Sequence, residues 1–296
     1  MKILVTGSNG LLGQKLVELL DNDPAVDLVA TARGAARYPL VRGKFAMLDV
    51  SDKNQVNELM ADVRPDVVIH TAAMTQVDQC ETDRDACWTQ NVNAVEYIAN
   101  ACAANGARLI HISTDFIFDG THGPLDESAT PNPISHYGRS KLAGEEAVIK
   151  SKAEWAILRT VLVYGITRDM SRSNIVLWVK KNLEEGKSIN VVSDQWRTPT
   201  LAEDLAMACV LGAKKNARGI YHVSGEEMMT PYDIAIRTAK FFGLDATLVK
   251  ETDSTKFTQQ AKRPLRTGFV IEKAKRELGY KPHTFEEGLA VIKSQL

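Results

Sequence analysis

Three glycines spaced three apart, Gly7, Gly10 and Gly13, follow directly on the apolar run KILVT and open the helical pattern LLGQKLVELLDN. Glycine lets a backbone turn tightly, and a helix starting there leaves free N–H groups facing the turn, a setting that suits a pyrophosphate. The spacing differs from the commoner G-x-G-x-x-G, but the succession of strand, turn and helix that gives such a motif meaning is present. Gly7, Asn9, Gly10, Leu11, Leu12 and Gly13 are therefore candidate dinucleotide-binding positions. The alternative is a plain strand-to-helix turn with coincidental glycines.

The rhythm continues beyond the turn. KILVTG, DLVATA, VVIHTA, RLIHIST and AILRTVLVYG read as strands separated by helical patterns, among them the long amphipathic DACWTQNVNAVEYIANACAANG closed by Asn-Gly. Alternation of this kind predicts an α/β fold, a Rossmann-type doubly wound parallel sheet with a smaller C-terminal substrate-binding part. The expected dinucleotide-binding domain spans 1–164 with returning segments at about 198–224. The smaller part takes 165–197 and 225–296. There, SNIVLWVKKNLEEGKSINVV predicts a helix and a short strand, TPTLAEDLAMACVLGAKK a helix with a capped start, GIYHVSG a strand, and TPYDIAIRTAKFFGL a helix with Pro231 in its first turn. Two more helices are expected in the tail.

With 296 residues and a net charge of −1, the chain has no electrostatic call for nucleic acid or an anionic membrane. Cys80, Cys87, Cys102 and Cys209 lack zinc-site spacing and read as buried thiols of a reducing compartment. No run approaches a membrane span, so the expected location is the cytoplasm. No acidic cluster assigns a metal.

In a Rossmann domain a carboxylate about 20 residues after the glycines would bind the ribose diol of NAD. Here the second strand ends in Thr31, Ala32 and Arg33, with Arg37 beyond. A guanidinium suits a 2′-phosphate, so NADP(H) is preferred, with NAD(H) possible and Arg33 as a solvated surface residue the alternative. Asp49 and Val50 are expected near the adenine.

Downstream, HISTDFIFDG places Ser113 and Thr114 at the carboxyl end of the fourth strand, where ligands of open sheets gather. In SHYGRSKLAGEE, Tyr137 and Lys141 share a helix face. Hydride transfer to a carbonyl needs a nearby proton donor. A free tyrosine holds its proton too tightly for an efficient shuttle at neutral pH, and a lysine charge is expected to lower its pKa. Thr114 would orient the substrate oxygen. Taken alone, a Tyr-x-x-x-Lys pair is usually a solvated accident; the glycine turn and strand-end STD give it meaning. His70 and His111 are expected as satisfied interior histidines.

VTGSNGLLG, HTAAMTQVDQCE, STDFIFDG, YGRSKLAGE and DQWRTPT occur in the order found in the extended short-chain dehydrogenase/reductase family, and the chain most resembles its dTDP-4-dehydrorhamnose reductase branch. The resemblance implies a Thr114–Tyr137–Lys141 triad, with Tyr137 and Lys141 also meeting the cofactor. It further implies Thr71, Ala72 and Ala73 lining the cofactor, Thr75 and Val77 facing the sugar, and Asn91 ordering the site. Arg197 and Arg263 become candidates for the substrate diphosphate, or else surface ion pairs. The family's usual tryptophan is Leu162 here, and Trp196 either supplies an aromatic surface in its place or fills core. The implied activity is NADP(H)-dependent reduction of the 4-keto group of a nucleotide-activated deoxy sugar, by a monomer or homodimer. Two alternatives stand beside it. One is a nucleotide-sugar epimerase with tightly held NAD; the other is a regulatory subunit resembling the beta subunit of methionine adenosyltransferase.

Overall fold

A computed structural model describes residues 1–168, 173–257 and 260–296. Its first half alternates strand and helix: β1 (Lys2–Thr6), α1 (Leu11–Asp21), β2 (Asp27–Ala32), β3 (Lys44–Met47), α2 (Lys53–Val63) and β4 (Val67–His70). Then come α3 (Val77–Thr82), α4 (Arg84–Trp88), a π-helical turn (Thr89–Asn93), α5 (Ala94–Asn105), β5 (Arg108–Thr114), α6 (His136–Lys150), β6 (Glu154–Thr160) and β7 (Val163–Tyr164). The remainder supplies α7 (Ile175–Glu184), β8 (Ile189–Val192), β9 (Thr200–Leu201), α8 (Ala202–Lys214), β10 (Gly219–His222), α9 (Pro231–Phe242), β11 (Val249–Thr252) and α10 (Phe285–Ser294).

Seven parallel strands form the main sheet in the order β10-β6-β5-β4-β1-β2-β3. Because both faces of a parallel sheet are covered, its inner strands are apolar on both sides, as ILV in β1 and VVI in β4 are. One face packs Leu16 and Leu20 of α1 against Leu205 and Cys209 of α8; the other packs Val56 of α2 and Ile98 of α5 on Leu4, Val68 and Leu109. Strand order reverses between β1 and β4, which opens a crevice at their carboxyl ends.

The structure departs from the expected elements in several places. The π-turn interrupts the long helix expected over 85–106, although Gly106, at φ 68°, closes it as Asn-Gly foretold. AILRTVLVYG is two strands, not one, broken at Leu162, whose φ is 38°. No side chain caps α8, whereas α9 begins with a Thr230–Asp233 capping box ahead of Pro231. Phe269, Ile271, Ala274, Leu278 and Tyr280, expected in the smaller part, pack into the first core instead. The smaller part has its own cores, where Val179 and Leu183 of α7 meet Ala235 and Ala239 of α9 over the parallel pair β8–β11. All four cysteines are buried free thiols. No described helix is long and apolar enough to cross a membrane.

Candidate active site

At the β1–α1 turn the backbone is packed to contact. Gly7 has φ 69°, and a Cβ there would come 2.8 Å from Ala72 N and Thr71 Oγ1. A Cβ on Gly13 would fall 2.1 Å from the Gly7 carbonyl oxygen. Only glycine lets helix and strand approach so closely. Gly10 precedes α1 without offering a side-chain cap, leaving the N–H groups of Leu11, Leu12 and Gly13 without intrahelical acceptors. An anion fits that terminus. Thr71 Oγ1 donates to the Thr6 carbonyl at 2.6 Å, fixing the segment Thr71 to Ala73 beside the turn. Asn9 reaches sideways: its Nδ2 donates to the Ala35 carbonyl at 2.8 Å and its Oδ1 accepts from Arg37 N at 2.9 Å. Arg33 is exposed and has no side-chain partner among the described residues. Asp49 Oδ1 accepts from the N–H and hydroxyl of Ser51, whereas the Val50 side chain is sealed in the core with Leu48 and Val56.

Across the crevice, β5 ends at Thr114 and α6 starts at the Ser135 cap, whose Oγ accepts from Gly138 N at 3.1 Å. A Cβ on Gly138 would lie 2.1 Å from the Phe116 carbonyl oxygen, and one on Gly144 2.5 Å from that of Asn91. These two glycines let α6 settle onto the neighbouring backbone and bring Tyr137 to Thr114. The sequence carries the signal, as the YG and AG of YGRSKLAG, but neither glycine was picked out from it.

Thr114 Oγ1 donates to Asp115 Oδ1 at 3.1 Å, and its hydroxyl also meets the Tyr137 phenol in a hydrogen bond of the sense that lowers the phenol's pKa. Lys141 Nζ donates to the Ile112 carbonyl at 2.7 Å. Asn91, fully buried in the π-turn, brackets Met74: Oδ1 accepts from its N–H at 2.9 Å and Nδ2 donates to its carbonyl at 3.0 Å. The same Nδ2 reaches Ser140 Oγ on α6, so one amide ties the loop after β4 to the helix bearing tyrosine and lysine.

Burial governs the titration of the triad. It pushes the Tyr137 phenol above its ordinary value, and the Thr114 hydrogen bond offsets this only in part. The expected lowering by Lys141 is therefore overturned: removal from water penalises phenolate more than its surroundings favour it. Burial also brings Lys141 down to about 8, opposed by Glu145 one turn along α6 and by Cys87. His70 Nδ1 pairs with Thr6 Oγ1 at 2.7 Å. His111, contrary to expectation, has neither ring nitrogen hydrogen-bonded among the described residues, and burial holds it neutral.

A family model described as RmlD substrate binding domain matches residues 1–296. The chain belongs to this family. It is 35% identical over 259 residues to the methionine adenosyltransferase 2 subunit beta of Bos taurus, covering 86% of this chain and 76% of that one. It is 32% identical over 296 residues to a probable low-salt glycan biosynthesis reductase of Haloferax volcanii, covering 99% and 98%. The crystal structure of a Bacillus anthracis dTDP-4-dehydrorhamnose reductase in complex with NADP matches with a TM-score of 0.87 at 29% identity, over 100% of this chain and 99% of that one.

Within this RmlD-type framework the substrate-side residues separate into two groups. Thr75 is exposed and Val77, at the start of α3, is half-buried. Trp196 is half-buried under the Arg266 guanidinium, 5.3 Å from the ring centre. The two arginines expected at a diphosphate are otherwise engaged. Arg263 forms a two-pronged pair with Asp78, at 2.7 and 3.1 Å. Arg197 is only 4% exposed; Nη2 donates to the Pro264 carbonyl at 2.6 Å, Nη1 to those of Trp196 and Leu265, and Nε lies 3.6 Å from Asp115. Its guanidinium neutralises a buried carboxylate, so the diphosphate role is withdrawn for Arg197.

Proposed function

We propose that this protein is an NADPH-dependent reductase of the 4-keto group of a nucleotide-activated deoxy sugar, with dTDP-4-dehydrorhamnose the first candidate substrate. The observation that carries the reading is the meeting of Thr114, Tyr137 and Lys141 at the carboxyl edge of the sheet, beside a glycine turn with free N–H groups. The family membership and the NADP bound by the Bacillus anthracis reductase support it.

The pyrophosphate would lie on the backbone N–H groups of Leu11, Leu12 and Gly13, with Thr71 to Ala73 along the cofactor and Arg33 at the 2′-phosphate. NADPH supplies the hydride. Tyr137 gives its proton to the substrate oxygen, and the burial that raises its pKa keeps that proton in place until negative charge develops there. Thr114 would hold the same oxygen through its hydroxyl on turning its proton away from Asp115. Lys141, charged at neutral pH, holds the nicotinamide ribose and stabilises the phenolate left behind. Thr75, Val77, Trp196 and Arg263 are left to meet the sugar nucleotide, Arg263 only on leaving Asp78.

The test is oxidation of NADPH with dTDP-4-dehydro-6-deoxy-L-mannose formed in situ, comparing wild type with Tyr137→Phe. Rapid oxidation that the substitution reduces by about 100-fold or more is the expected result. A second reading, a subunit that serves another enzyme, is favoured by the 35% identity to the methionine adenosyltransferase 2 subunit beta. Absence of oxidation across a panel of keto sugars, together with tight binding to a methionine adenosyltransferase, would replace the first reading with the second.

A further inference from the structure

The loop between β2 and β3 carries the arginines on which the choice of cofactor turns, yet residues 33–37 are all exposed and add nothing to the core. Two side chains from the α1 side hold the loop. Near the end of α1, the Asp21 carboxylate accepts the N–H groups of Val41, Arg42 and Gly43, at 2.6, 3.0 and 2.5 Å. At the glycine turn, Asn9 accepts from Arg37 N and donates to the Ala35 carbonyl. Asp21 fixes the far end, where the chain turns back into β3. Asn9 fixes the end next to Arg33, and it does so from within the turn that would seat the pyrophosphate.

We propose that Asn9 is a specificity-determining positioning residue: its amide locks the 33–37 loop to the glycine turn and so sets Arg33 at the distance where a 2′-phosphate lies. This rests on the reading of the chain as an NADPH enzyme. Asn9 was singled out from the sequence only as a member of the turn; the structure sends its side chain to the loop. Holding the loop in the free protein means that Arg33 and its neighbours are not ordered at the expense of binding energy. The gain falls on the ligand that Arg33 touches, which is the phosphorylated cofactor. NADH lacks the 2′-phosphate and draws no benefit from Arg33.

The experiment measures dissociation constants for NADPH and NADH on the full chain, with wild type, Asn9→Ala, Arg33→Ala and the double variant, each checked for an unchanged melting temperature. The expected result is that Asn9→Ala weakens NADPH on the order of tenfold and NADH by less than about twofold. In the Arg33→Ala background, Asn9→Ala should then have little further effect on NADPH, because both act through one contact. Equal weakening of both cofactors would overturn the proposal, since Asn9 would then serve only the shared turn. Independent, additive effects of the two substitutions would also overturn it. Wild type that binds NADH as tightly as NADPH would sink the NADPH reading itself, and the clamp with it; that outcome is visible before any variant is made.

Discussion

Replacing Arg197 by methionine tests whether its guanidinium serves the interior or the substrate. The side chain is 4% exposed and Asp115 2% exposed, so neither partner has water to fall back on. Methionine fills similar space but removes the charge facing Asp115 and the donors to the carbonyls of Pro264, Leu265 and Trp196. Breaking a buried pair by deleting one partner costs about 3–5 kcal/mol, because the other charge stays buried and unpaired. In a chain of this size that corresponds to a fall in melting temperature of roughly 5–8 °C.

The loss should depend on pH in a definite direction. Burial already raises the Asp115 carboxyl above its ordinary range, and Arg197 is the largest influence pulling it back. Without Arg197 the carboxyl rises further. A group whose folded-state pKa is raised favours the native state fully below the unfolded value and loses that advantage as pH climbs through the folded one. Arg197→Met should therefore be least damaging near pH 5 and most damaging near pH 8, and adding Asp115→Asn should restore much of the stability. Thermal melts followed by circular dichroism at the two pH values decide it. A loss under about 1 kcal/mol at pH 8, or no rescue by Asp115→Asn, would refute the reasoning. A raised KM for the sugar nucleotide with an unchanged melting temperature would return Arg197 to the diphosphate.

Gly13→Ala should fold less stably by about 1–3 kcal/mol and lose NADPH binding, since its Cβ would meet the Gly7 carbonyl oxygen at 2.1 Å; a urea titration and NADPH fluorescence check both. For Lys141, brought to about 8 by burial, log kcat/KM for NADPH should fall as pH rises through about 8, where the ammonium loses its proton, and Lys141→Arg should flatten that limb. A pH profile still level at pH 9 in wild type would argue that another group controls the site.

Much of this architecture was legible because the relevant signals are local. The ILV of β1, the LVA of β2 and the glycines between β1 and α1 declare themselves within a dozen residues. β3 did not, because KFAM is a short edge strand with exposed Lys44 and Met47 and no alternation to read. The π-turn at Thr89–Asn93 was hidden for a different reason: one extra residue per turn leaves composition untouched while turning Asn91 inward to Met74 and Ser140. Arg197 was misread because its partner Asp115 is remote in sequence, and only folding sets the two side by side.

The triad shows the limit most clearly. Helical spacing placed Tyr137 and Lys141 on one face, and charge alone suggested that the lysine would ease the phenol's proton off. Packing decides otherwise. Lys141 donates to the Ile112 carbonyl, while the Tyr137 ring sits among Cys80, Cys87 and Phe116, so the cost of burying a phenolate outweighs the hydrogen bond from Thr114 that favours it. A phenol that keeps its proton at neutral pH is a donor waiting for a base. The base a reductase creates is the alkoxide formed at the substrate carbon, so the proton moves when the hydride does.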